Sequence, residues 1–378
     1  MKNWGLYRLA VKGLPPGGRI RESRLPEEWA RRAEAILRKN RCVGASLCLF
    51  DGEGAAGTLA FGDARRGVPA EIRTVYRCAS VSKFVTALGA MKLRERGLDL
   101  DRDVNDYLPF SLRHPKAPDK PITLRMLLTH TAGLRDGRAY NAGIGQGMGL
   151  SEILAGDSFA PHLPGEGWEY SNLGGGIAGA VMEAAYGDFE TLMQETVFSP
   201  LGVTATYYPQ KAQGTLADAY RILPKSKTPN FNGAQRQGKP LPVPCRDAEH
   251  HYNLAHGSLC LSVSDLAKIG AAGMGIGFLK KESLQDMRTG VSPFTGRAKN
   301  LWQGIGTFIL RDEKLSPRTL YGHQGMAYGA VHGLFFDPEA GRGYALLTAG
   351  ASEARRGVLA DLNADMIRLV FREDVWIR

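Results

Sequence analysis

Apolar positions fall into three regimes along the chain. Leu25, Trp29, Ala33, Ile36 and Leu37 recur every three or four residues, which predicts a helix over 26–39. Short apolar runs at 42–50 and 57–61 flank the turn sequence Asp51-Gly52-Glu53-Gly54 and predict a β-hairpin. Helical spacing returns with Val81, Phe84, Val85, Leu88 and Met91, a buried face for a helix from Ser80 to about 96. The middle of the chain alternates short helices and loops. Thr123 caps an apolar turn at 124–128, small residues make a close-packing helix at 174–186, and Ser264 is the expected cap of a helix over 265–274. Residues 209–248, rich in Pro, Gly, Lys and Asn, predict a long surface excursion, and the glycine-rich 143–149 a flexible loop. Strand patterns reappear at 304–310, 318–323, 330–336 and 344–349, with 337–341 as a hairpin turn, before a final helix over 352–371.

Strands at both ends and helices between them predict an α/β (α+β) chain: a mostly antiparallel sheet flanked by helices, with a helical domain inserted. The expected division is an irregular extension at 1–24, a sheet domain from 25–96 and 300–378, and a helical, loop-rich insertion at 97–299. At 378 residues the chain is long enough for such a body, and 43% hydrophobic with 23% charged residues is an ordinary globular balance. No apolar run reaches the ~18 residues of a membrane span. The net charge of +10 is spread along the chain. Its denser stretches, 31–41 and Lys225, Lys227, Arg236, Lys239, carry no nucleic-acid-binding motif, so no nucleic-acid partner is expected. Five cysteines (Cys42, Cys48, Cys78, Cys245, Cys260) without C-x-x-C spacing argue against a disulfide framework. With an N-terminus that lacks a secretory pattern, they point to a cytoplasmic setting.

Three short motifs carry the chemistry. In Ser80-Val81-Ser82-Lys83, positions three apart share a helix face, so the hydroxyl and the amine can meet. A serine needs a base, and a buried lysine with a lowered pKa can be one. Tyr170-Ser171-Asn172 follows a turn and opens the small-residue helix. Its tyrosine can relay protons in a cleft, while its amide both donates and accepts. His323-Gln324-Gly325 ends a predicted strand. Gly325 would let a substrate backbone lie close to that edge, and the N–H groups of Met326 and Ser80 could form an oxyanion hole. Each motif alone is a weak signal.

Together, in this order, they resemble the serine β-lactamase-like and penicillin-binding-protein superfamily, which includes class C β-lactamases, D-alanyl-D-alanine carboxypeptidases and esterases. The flanks at 98–109, 123–134, 164–174 and 259–268 are similar to that family too, so the resemblance covers about 25–370. It implies a β-lactamase/transpeptidase-like fold. Ser80 would be acylated, Lys83 the activating base and Tyr170 the proton relay. Asn172, His323, Gly325 and Met326 would line the substrate site, and no metal or organic cofactor is implied. His130, in the Thr-His-Thr segment, is expected to bond loop backbone. His256 stands where relatives often have glycine and is expected to narrow one edge of the cleft. Glu249-His250-His251 with His256 lacks metal-ligand spacing and is expected to be a polar loop.

The implied activity is serine-based hydrolysis of esters or amides through an acyl-enzyme, with a small molecule or short peptide as substrate. The alternatives are a class C type β-lactamase and a non-catalytic penicillin-binding or sensor module. The third motif sets the order among substrates. His323-Gln324-Gly325 stands where β-lactam-binding relatives carry Lys-Thr-Gly, so a β-lactam carboxylate meets neither a permanent cation nor a hydroxyl there.

Overall fold

The computed structural model describes residues 18–223, 226–229, 247–294 and 300–372. The expectations for Cys245, for the basic positions Lys225, Arg236 and Lys239, and for the chain before residue 18 lie outside them.

The Asp51–Gly54 turn closes the hairpin its residues predict. Strand β2 (Gly44–Asp51) pairs antiparallel with β3 (Gly54–Arg65). Strand β1 (Ile20–Ser23) adds to the outer edge of β3, so the extension is not wholly irregular. Four residues are too few to show a strand period in sequence. From the far end of the chain come β4 (Ser292–Pro293), β5 (Leu301–Gln303), β6 (Phe308–Leu310), β7 (Leu320–Ala327), β8 (Ala330–Asp337) and β9 (Arg342–Gly350). The order across the sheet is β1-β3-β2-β9-β8-β7-β6-β5-β4, and every pairing along it is antiparallel. One sheet thus holds both chain ends, joined where β2 lies against β9.

Helices cover both faces, which is why the strands read as continuous apolar runs. Leu47 and Leu49 of β2, with Tyr344 and Leu346 of β9, pack in one core with Trp29, Ala33 and Leu37 of helix α1 (Glu27–Lys39). Cys48 and Phe50, one position along, face the other core. There they join Phe84 of α2 (Val81–Arg94) and Leu266 and Ile269 of the helix after Ser262. Between α2 and β4 in sequence come α3 (Asn172–Tyr186), α4 (Tyr252–Gly257) and α5 (Val263–Met274). Among the described residues no helix is long and apolar enough to cross a membrane. Cys42, Cys48, Cys78 and Cys260 are buried and unbonded to one another.

Several expectations are corrected. Helix α5 is capped by Ser262, whose hydroxyl accepts the Asp265 N–H at 3.2 Å; Ser264 sits inside the first turn. The glycine-rich 143–149 stretch is partly helical, because the helix Arg138–Gln146 runs into it and ends at Gly147 with φ +72°. The excursion at 209–248 is not all surface: Tyr220 and Ile222 are buried in a small hairpin. The final helix, α6 (Asp361–Ile367), starts later than expected, after a short pairing of Arg355–Arg356 with Leu359–Ala360.

Candidate active site

The strand Val75–Arg77 pairs with Cys260–Ser262 and carries the chain to Cys78, whose N–H donates to the Leu259 carbonyl. Ala79 then turns the chain through φ +49°, a left-handed conformation that costs a non-glycine residue roughly 1–2 kcal/mol. That turn delivers Ser80 to the head of α2, at the floor of a cleft of about 430 Å³. Ser82 points elsewhere. Its hydroxyl donates to the Ala79 carbonyl at 2.6 Å and accepts the Leu259 N–H at 3.3 Å, pinning the turn.

Lys83 is buried one helical turn on. Its Nζ lies 3.1 Å from Ser80 Oγ, 2.6 Å from Asn172 Oδ1 and 3.0 Å from the His256 carbonyl. Burial pulls its pKa down to about 7, while the Asp136 carboxylate favours the charged form. A neutral amine has two N–H bonds and one lone pair. Asn172 Oδ1 and the His256 carbonyl can only accept, so they take the two N–H bonds. The lone pair is left facing the one partner able to donate, the Ser80 hydroxyl.

Tyr170 closes the other side, with Lys83 Nζ 5.0 Å from its ring centroid. Burial pushes its phenol above the ordinary tyrosine range, and a hydrogen bond with Ser80 works against that rise. His130 holds the tyrosine in place. The rings lie 4.4 Å apart, and His130 Nδ1 accepts the Ser171 N–H at 3.2 Å. His130 therefore bonds loop backbone as the sequence suggests. Ser171 caps α3 by accepting the Gly174 N–H, which sets Asn172 at the helix start.

Strand β7 forms the facing wall. His323 lies within the strand, not at its end, paired with Leu334 of β8. Its ring stacks on Phe308 at 4.1 Å, and burial, with Lys83 nearby, drops its pKa to about 3, so it is neutral. Gln324 turns its amide away from the serine. Its amide donates to the Val358 carbonyl at 2.5 Å and accepts from Ala360 N–H and Asn363 Nδ2, so its polar end is committed to the segment leading into α6. Gly325 also meets a packing requirement. A Cβ there would lie 2.3 Å from the Cys78 carbonyl and 3.2 Å from Ser80 N, so glycine lets the strand touch the turn before Ser80. Met326 lines the cleft beside Ser80.

Sequence reasoning missed an aromatic wall. Trp168 meets Phe294 at 4.1 Å, and Phe294 meets Phe308 at 5.1 Å, along one side of the cleft. Arg355 is a charged side chain at its rim. Asp136 was missed as well. These residues come from distant segments and carry no motif.

His256 does not narrow the cleft. It is buried behind Lys83, with Nε2 3.0 Å from the Tyr140 hydroxyl. The Glu249-His250-His251 run disperses: Glu249 bonds Ser151, His250 bonds Asp247, and His251 bonds Glu183. Glu183, Asp188 and His251 do bring ligand-type atoms within 4.8 Å of one another, away from the serine.

A two-faced antiparallel sheet with a serine–lysine pair at the head of a buried helix defines the class of fold shared by β-lactamases and penicillin-binding proteins. The beta-lactamase family model matches residues 29–366, and the chain belongs to that family. Esterase EstB of Burkholderia gladioli is 35% identical over 191 residues, 45% of this chain and 48% of EstB. Penicillin-binding protein 4* of Bacillus subtilis (strain 168) is 29% identical over 147 residues, 36% of this chain and 31% of that protein. The chain thus spans half or less of the length of these curated relatives. A solved D-amino acid amidase from Ochrobactrum anthropi SV3, complexed with L-phenylalanine amide, matches with a TM-score of 0.71 at 23% identity. That match covers 91% of this chain and 97% of the amidase, and at this identity it shows the fold.

Proposed function

We propose that the protein hydrolyses esters or amides of small molecules or short peptides through an acyl-enzyme on Ser80. The observation that carries this reading is the set of three partners around Lys83 Nζ, which leaves its lone pair for the Ser80 hydroxyl. Lys83 takes the Ser80 proton as Oγ attacks the substrate carbonyl carbon. The carbonyl π electrons move to oxygen, where the N–H groups of Ser80 and Met326 receive the negative charge. Collapse re-forms the carbonyl and breaks the bond to the leaving alkoxide or amine. Tyr170 gives that group a proton and regains one from Lys83. Water then repeats the sequence on the acyl-enzyme, releasing the acid and free Ser80. Asn172 and His323 line the site, and Gly325 keeps the strand against the turn.

An aromatic wall and a neutral His323 favour an uncharged or weakly polar acyl group. A β-lactam carboxylate finds no lysine in the third motif. A charge-assisted contact is worth about 1.5–3 kcal/mol, or roughly ten- to a hundredfold in selectivity. A second reading, β-lactam hydrolysis, draws support from Arg355, a cation at the cleft rim that could meet such a carboxylate. The test is kcat/KM across short-chain p-nitrophenyl esters, D-alanyl amides and nitrocefin. An ester or D-alanyl amide should be fastest. Nitrocefin turned over faster than all of them would favour the second reading.

A further inference from the structure

Asp136 belongs to none of the three motifs, yet its carboxylate is where the second motif converges. Oδ1 accepts the Ser171 hydroxyl at 3.1 Å and the Leu173 N–H at 2.9 Å, and Oδ2 accepts Asn172 Nδ2 at 2.7 Å. A carboxylate can only accept. The nitrogen of the Asn172 amide must therefore face Asp136, and its oxygen must face Lys83. With the amide turned over, an oxygen would face the carboxylate and an NH₂ would face the lysine N–H bonds.

We propose that Asp136 is a positioning residue of this site: its carboxylate fixes which face the Asn172 amide presents to Lys83, and it supplies the negative charge that Lys83 feels. The inference rests on the reading of Lys83 as the base. The other titratable groups around the lysine come from every side of it. Cys78 precedes the nucleophile turn, His130 and Tyr170 flank the second motif, His256 lies on α4 and His323 on β7. Burial pushes the Cys78 thiol up to about 12 and raises the Tyr170 phenol above the ordinary tyrosine range. It drives His130 and His256 well below the ordinary histidine range and His323 to about 3. All of these shifts favour the neutral forms, so the charge facing Lys83 that favours its protonated form is the Asp136 carboxylate. Burial lowers the lysine, and the carboxylate opposes that fall.

The sign of the effect distinguishes this role from a merely structural one. Removing the carboxylate favours the neutral amine, so the acidic limb of the kcat/KM profile should move to lower pH. Loss of a nearby opposite charge moves a pKa by about one unit or more, and here the charge acts across the Asn172 amide. D136N and D136S are each expected to move the limb down by about one pH unit, while the plateau falls because the amide is no longer held. The variant-to-wild-type rate ratio should then be up to about tenfold higher at pH 5 than at pH 9. D136E, which keeps the charge, should lose plateau rate with its midpoint near that of wild type. The experiment is a p-nitrophenyl ester assay on the full chain from pH 5 to 9, with folding checked by circular dichroism. An unmoved midpoint in D136N or D136S, with the same loss at every pH, overturns the proposal. So does failure of both to fold while D136E folds. A wild-type profile with no acidic limb would instead overturn the reading of Lys83 as base.

Discussion

As the proposed base, Lys83 must be neutral, and burial brings its pKa down to about 7. Two carbonyl-type acceptors and one hydroxyl are the arrangement a neutral amine can satisfy completely, which an arginine cannot reproduce. Lys83→Arg keeps a positive charge but cannot deprotonate in a protein. Its kcat/KM on an ester should fall by a factor on the order of 10² or more, the usual size of a lost general base. Near-wild-type turnover in that variant would mean the lysine serves only as a charge. Much of the geometry of the proposed site is legible at the residue scale, because Ser-x-x-Lys and Tyr-x-Asn are local spacings that a helix start brings together. Asp136 is not legible. A single acid acquires meaning only when a segment some 35 positions later folds onto it. The partners of Gln324 are not legible for a related reason: residues 358–363 arrive from a separate element, and no strand pattern announces them.

At the scale of elements, the contact that matters most is between β7 and the turn before α2. The backbones approach so closely at Gly325 that any side chain meets the Cys78 carbonyl. Gly325→Ala should destabilise the protein by about 1–3 kcal/mol, the usual cost of overpacking, and should lower the rate by pushing the strand off Ser80. A thermal melt and ester kinetics on the same sample check both effects; an alanine variant that melts and turns over like wild type would remove the close contact from the account. Element existence was readable wherever turn chemistry and period agreed, as in the Asp51–Gly54 hairpin and helix α1. It failed where glycine was taken as a loop signal. Residues 138–146 form a helix all the same, its N-terminus bonded to Asp157 and Tyr140 buried against α4, tertiary contacts that override the low propensity of glycine. The last helix was read too long because 352–360 holds a short pairing that apolar spacing alone does not separate from a helix.

The whole molecule is tied together by β2 against β9, the seam where the two ends of the chain meet. Trp29 and Leu37 of α1 and Met366 of α6 pack in one core across that seam, so neither end can bury its strands alone. Thermal unfolding should therefore be a single transition, with near-UV circular dichroism and loss of ester turnover at the same midpoint; two separated transitions would show that the helical middle stands independently. The net charge of +10 is spread along the sequence, and among the described residues the cleft lining includes Arg355.

The central claim is that Ser80 is the nucleophile, and the most direct measurement is where an acyl-type probe attaches. The full chain is treated with a fluorophosphonate, weighed intact and mapped by peptide mass spectrometry. One adduct per chain is expected, on Ser80, and none in Ser80→Ala. Ser82, three bonds deep in the turn between Ala79, Cys78 and Leu259, should stay unmodified. An adduct on Ser82, or no adduct on a folded chain, would contradict it.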